Sequence, residues 1–105
     1  MEMLRDELIE ALQDTSEEVA GYRWNKEDCN DLLNIFTTTI TKCLIAGREP
    51  IIYGFGKFKV ATRAKHRIAN PNTGEHMMTR ELKVPMFQAG ETLKREIKEM
   101  DQLGN

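Results

Sequence analysis

Between Lys57 and Ala69 the chain alternates in a pattern suited to an extended strand, and Asn70-Pro71-Asn72-Thr73-Gly74 follows at once. The odd positions read Lys57, Lys59, Ala61, Arg63, Lys65, Arg67 and Ala69, and the even ones Phe58, Val60, Thr62, Ala64, His66 and Ile68. Alternate side chains of a strand point to opposite faces, so the run places five cations on one face and a more apolar set on the other. Asn, Pro and Gly in close succession mark a turn, which makes this segment the tip of a hairpin. A second strand returns over about 76–84 and is expected to end at Pro85. A cationic ribbon capped by proline suits the narrow groove of a nucleic acid better than a protein core.

The remaining elements follow from spacing. Leu4, Leu8, Ile9 and Leu12 recur at helical intervals, predicting an amphipathic helix over about 3–14 that runs on toward Val19. Gly21-Tyr22-Arg23-Trp24 breaks that pattern. Asn25 is a good N-cap for a second helix through Cys29, Leu32, Leu33, Phe36, Ile40, Cys43 and Leu44, and Gly47 stops it. Thr37–Thr39 and Thr41 have poor helix propensity, so packing is expected to hold them in place. Pro50 opens a short strand over Ile51–Tyr53, and Gly54-Phe55-Gly56 closes a tight hairpin into the long strand. Phe55, Phe58 and Phe87 are expected in the core. A last helix over about 90–102 carries Leu93, Ile97 and Met100 on one face.

A chain of 105 residues with 40% hydrophobic and 30% charged residues is expected to fold as one domain. Its apolar runs are too short to span a bilayer, and the early Glu2, Asp6 and Glu7 do not read as a signal peptide, so a cytosolic protein is the expectation. Cys29 and Cys43 are separated by about 21 Å on one helix at ~1.5 Å per residue, too far to bond to each other. The net charge of −2 conceals an asymmetry. Residues 1–46 hold four Lys/Arg against ten Asp/Glu, a balance of −6; residues 47–98 hold eleven against five, a balance of +6. A polyanion responds to the local field, so an acidic whole does not exclude one as a partner.

The distal hairpin, with few large apolar residues and many charges, is expected to project from the body. What remains is small and gains stability by associating, with the exposed ridge of the second helix as a dimer seam. A dimer presents two arms, and two weak contacts then act together.

Three blocks carry a resemblance. Gly54-Phe55-Gly56-Lys57-Phe58, Asn70-Pro71-Asn72-Thr73-Gly74, and Val84-Pro85-Met86-Phe87-Gln88-Ala89-Gly90 with Leu93-Lys94 resemble the signature of bacterial HU/IHF-type histone-like DNA-bending proteins, in order and spacing. The resemblance implies an α+β fold: two N-terminal helices, a three-stranded antiparallel sheet with a long protruding β-arm, and a C-terminal helix. It implies one domain over 1–105, with a helical dimerisation base at about 1–47, sheet and arm at about 50–88, and the last helix at about 90–102. It further implies an intertwined homodimer or heterodimer in the bacterial nucleoid, or a viral equivalent, that bends double-stranded DNA with arms in the minor groove.

Pro71 would be the wedge, since it is rigid, apolar and lacks an N–H. Unstacking costs a few kcal/mol per step and bending roughly 1–6 kcal/mol more, so arm cations must offset both through phosphate contacts and counterion release. Arg63, Lys65, Arg67, Arg80 and Lys83 are the arm candidates, with Asn70 as a groove-edge donor. Lys57 and Lys59 are candidates for flanking contacts nearer the body, and Lys94 is a further DNA-binding candidate.

The chain also departs from the family pattern. Ile68 and Ala69 stand where Gly and Arg are usual, Glu75 replaces a Lys, and Gln88 and Glu91 occupy positions that are often basic. The stretch 15–25 is longer than the family's usual interhelical turn, and Tyr22 and Trp24 in it read as core filling or as a partner-contact patch. These departures motivate an alternative: the same fold serving as a protein-interaction or regulatory module with weak or no DNA binding. A sequence-specific bender acting as half of a heterodimer also stays open. No nucleophile elbow, phosphate loop or metal-ligand spacing points to an enzyme or a cofactor, and His66 and His76 lack a third ligand at suitable spacing.

Overall fold

The computed structural model describes residues 1–63, 67–69, 76–78 and 81–103. Among these the order is α1 Arg5–Ala20, α2 Lys26–Ile45, β1 Ile51–Ile52, β2 Gly56–Arg63, β3 Arg67–Ala69, β4 His76–Met78, β5 Leu82–Ala89 and α3 Glu91–Leu103. Close contacts group the chain into two units, Met1–Thr41 and Lys42–Asn105, and α2 crosses the boundary.

In the first unit α1 runs its full periodic length and past Val19. Asp6 and Glu7 in its first turn complement the helix dipole, and Gly21 ends it at φ 87° with its N–H donating to the Glu17 carbonyl. The additional interhelical sequence therefore goes largely into helix, leaving a turn of few residues before α2. Asn25 caps α2 as its position predicts, its side-chain oxygen accepting the Asp28 N–H at 2.7 Å. The turn is tied back to α1 through Gln13, whose Nε2 donates to the Trp24 carbonyl at 3.1 Å, and Ser16, whose Oγ accepts the Trp24 N–H at 2.9 Å. Arg5 donates to the side-chain oxygens of Asn30 and Asn34, which fixes the other end of α1 against α2.

Thr37 and Thr41 are accommodated differently from the sequence expectation. Their hydroxyls donate to the Leu33 and Thr37 carbonyls one turn back, so the helix itself satisfies them without burial. Gly47, at φ 79°, closes α2 with paired bonds: its N–H reaches the Leu44 carbonyl and the Arg48 N–H reaches Cys43. That pattern is the Schellman stop a C-terminal glycine provides.

In the second unit β1, β2 and β5 form an antiparallel sheet in the order β1-β2-β5. The β1–β2 hairpin turns at Tyr53-Gly54, with Gly54 at φ 84° and the Phe55 N–H bonded to the Ile52 carbonyl. Gly56 cannot carry a side chain, because a Cβ there would lie 2.6 Å from both the Gln88 carbonyl oxygen and the Phe87 ring. β5 does not end at Pro85; it continues to Ala89, with Pro85 opposite Val60. The position of β5 at the edge of the sheet explains this, since an edge strand can direct a missing N–H toward its open side.

Phe55, Phe58 and Phe87 form a cluster, with ring centroids 5.1 Å apart for Phe55–Phe87 and 5.0 Å for Phe58–Phe87. They are not buried as expected of a core: Phe55 and Phe87 remain 42% and 41% exposed. The same holds along α2 and α3, where Leu32, Ile35, Ile45, Ile97 and Met100 all face outward in the single chain. Among the described residues, Ile9 and Cys29 are the buried hydrophobic side chains.

Candidate nucleic-acid interface

The register of β2 against β5 decides which charged residues share a face. Lys57 stands opposite Gln88, Lys59 opposite Met86, Ala61 opposite Val84 and Arg63 opposite Leu82. These pairs lie on one face, since cross-strand partners of an antiparallel ladder point the same way. Phe58 with Phe87, Val60 with Pro85 and Thr62 with Lys83 occupy the other. The alternation read from the sequence thus holds for Lys57, Lys59 and Arg63. Lys83 is not on their face, because it pairs with Thr62. The cationic face is also less uniform than one strand suggests, since β5 contributes Leu82, Val84 and Met86 to it.

Farther along, β3 and β4 pair as Arg67 with Met78, Ile68 with Met77 and Ala69 with His76. The numbers of paired residues add to the same total here as in β2–β5. The two ladders therefore keep one register, with equal lengths of chain between them on each strand. Arg67 lies on β3, whereas Lys65, Asn70, Pro71 and Arg80 fall outside the described residues, as do His66 and the Asn70–Gly74 turn.

The cations differ in their company. Lys59, Arg63 and Lys83 make no ion pair among the described residues. Lys57 does, with its Nζ 3.0 Å from Glu49 Oε1. Glu49 lies two residues before Ile51, which pairs with Lys57, and so just outside β1. Lys94 on α3 lies 4.0 Å from Glu91 Oε1, one turn back on the same helix. Lys57, Gln88, Gly90, Glu91, Thr92 and Lys94 line one open cleft at the start of α3. Sequence reading singled out both lysines and noted Glu91 as a departure, but it missed Glu49. The available signal was the short β1 strand, which brings residues just before it alongside β2.

In the first unit Arg23 pairs with Asp14, whose hydrogen bond and charge raise the guanidinium's pKa further above its already high value. Stability from such a raised group is present at lower pH and is lost only as pH climbs through the folded-state pKa, so the pair confers no switch near neutrality. Tyr22 is exposed and stacks at 6.4 Å on the partly buried Trp24. Trp24 is thus partly covered in the single chain and Tyr22 is not.

The arrangement corresponds to known proteins. Residues 3–98 match the family model described as bacterial DNA-binding protein. The DNA-binding protein HU of Geobacillus stearothermophilus is 35% identical over 96 residues, covering 91% of this chain and all of the relative. Integration host factor subunit alpha of Albidiferax ferrireducens is 32% identical over 77 residues, covering 73% of this chain and 76% of the relative. Among solved structures, an Anabaena HU–DNA cocrystal matches with a TM-score of 0.73 at 27% identity, covering 90% of this chain and 97% of that one. The chain belongs to the bacterial DNA-binding protein family that includes HU. Among the described residues no helix is long and apolar enough to cross a membrane.

Proposed function

We propose that two copies of this chain form an architectural protein that binds double-stranded DNA and bends or kinks it with little base readout. The observation that carries this reading is the common register of the β2–β5 and β3–β4 ladders, with Lys57, Lys59 and Arg63 on one face of β2. Arg63, Lys65, Arg67, Arg80 and Lys83 contact phosphates along the arm, Lys57 and Lys59 make flanking contacts nearer the body, and Lys94 adds a further contact. Asn70 donates to a groove edge, and Pro71 replaces a stacked base neighbour. A family of bacterial DNA-binding proteins and a relative crystallised with DNA support the partner. The comparisons lend no support to the regulatory-module alternative.

Dimerisation is supported by what the single chain leaves uncovered. Leu32, Ile35, Phe55, Phe87, Ile97 and Met100 are all more than a third exposed in it. The Phe55–Phe58–Phe87 cluster and the apolar faces of α2 and α3 are completed by the second copy, so the chain is one domain whose core is shared between two protomers. A homodimer in the bacterial nucleoid is the simplest assembly of this kind.

Titrating labelled linear, nicked and four-way duplexes at low salt tests the reading. Binding should be strongest on distorted DNA and should weaken steeply as salt rises. Pro71→Ala should reduce bending more than affinity. No shift with any duplex at about 50 mM salt would refute the proposal.

A further inference from the structure

We propose that Leu82, Val84 and Met86 of β5 form a salt-insensitive part of the DNA interface, packing on the deoxyribose rings beside the phosphates that the β2 cations hold. The inference rests on the DNA-binding reading above and deepens it, by naming side chains that recognise the sugar and not the charge. The register supplies its basis. Leu82 lies opposite Arg63, Val84 opposite Ala61 and Met86 opposite Lys59, so an apolar row and a cationic row share one face. The rows run one strand spacing apart, about 4.8 Å, and the apolar one extends about 13 Å from Leu82 to Met86 at ~3.3 Å per residue. Leu82 is 49% exposed and Met86 45%, with Val84 half-buried between them.

What covers this row is decided by its neighbours. Lys59 and Arg63 make no ion pair among the described residues, and a partner lying over Leu82 and Met86 lies over them as well. An apolar protein surface, a second copy's included, would bury two charges without partners, a cost that three small apolar contacts offset poorly. The backbone of a duplex meets both demands. Each phosphate is flanked by deoxyribose rings, whose carbon-bound hydrogens form an apolar surface next to the charge. A β2 cation on a phosphate therefore brings the adjoining sugar over β5.

The two rows respond differently to salt. Cation contacts release counterions, so their contribution falls as salt rises and disappears on extrapolation to about 1 M, where log salt is zero. Apolar burial releases no ions. It sets the affinity that remains at that point, and it gives binding a negative heat-capacity change.

The test compares the full-length wild type with a Leu82→Ser, Met86→Ser double variant, a Leu82→Met, Met86→Leu double variant, and Arg63→Gln. Each is titrated against one nicked duplex over a salt series, and by calorimetry at several temperatures. Sedimentation and urea unfolding establish that each variant is a folded dimer. The serine variant should keep the wild-type salt slope, lose about tenfold or more in the affinity extrapolated to 1 M salt, and show a smaller heat-capacity change. The variant that exchanges leucine and methionine keeps the row apolar and should match the wild type in all three. Arg63→Gln should flatten the slope and change the extrapolated affinity far less. A folded, dimeric serine variant that matches the wild type in slope, extrapolated affinity and heat-capacity change would overturn the proposal and leave the DNA-binding reading standing. A loss in the exchanged variant as large as in the serine variant would also overturn it, as would a serine variant that loses dimer stability because a second copy covers the row. Absence of binding by the wild type at about 50 mM salt would overturn both readings.

Discussion

The two units use their polar side chains in opposite ways. In Met1–Thr41 they are tied inward: Arg5 bridges Asn30 and Asn34, Gln13 and Ser16 hold Trp24, and Asn25 caps α2. In Lys42–Asn105 the fixed geometry comes from backbone, through the β-ladders and glycine turns, while Lys59, Arg63 and Lys83 remain without ion pairs among the described residues. Side chains tied to their own chain contribute to stability and little to recognition. Cations held on a rigid ladder without partners contribute little to stability and remain available to phosphate. Lys57 and Lys94 stand between these cases, on the recognition unit but each beside a carboxylate.

Substitutions that separate stability from binding sharpen this comparison. Phe87→Ala should have the largest effect, a loss of about 3–5 kcal/mol in urea unfolding, because it removes both ring contacts and part of the shared core. Its unfolding midpoint should also depend more strongly on protein concentration. Gly56→Ala should cost about 1–3 kcal/mol, since a methyl group meets a backbone oxygen and the Phe87 ring at 2.6 Å. Arg63→Gln should leave the unfolding midpoint within about 0.5 kcal/mol of wild type while reducing the salt slope of DNA binding by about one unit per chain. Asn25→Ala should do the reverse, costing about 1 kcal/mol of stability and leaving the salt slope unchanged. An Asn25→Ala variant with an altered slope, or an Arg63→Gln variant with a large loss of stability, would break the division.

Elements whose cause is local were legible in the sequence. The helical periodicity of α1 and α2, the Asn25 cap, the Gly47 stop and the alternation from Lys57 each depend on neighbours along the chain. Features set by neighbours across space were less legible. Pro85 reads as a strand end until β5 is known to be an edge strand. Lys83 joins the other arm cations by composition but not by register, because its face is set by Thr62 opposite it. Phe55, Phe58 and Phe87 do cluster, yet Phe55 and Phe87 stay exposed in the single chain, which one-chain patterning does not foresee. Glu49 went unnoticed for the same reason, since its partner is reached across the β1–β2 hairpin.

If Lys42–Asn105 binds DNA electrostatically through its β-ladder, removing a ladder cation must lower the salt dependence of binding. The most direct test measures equilibrium binding of the wild type and Arg63→Gln to a nicked duplex across a salt series. Log K should fall linearly with log salt for the wild type, with a slope shallower by about two units per dimer for the variant. Identical slopes for the two proteins, or wild-type binding insensitive to salt, would contradict it.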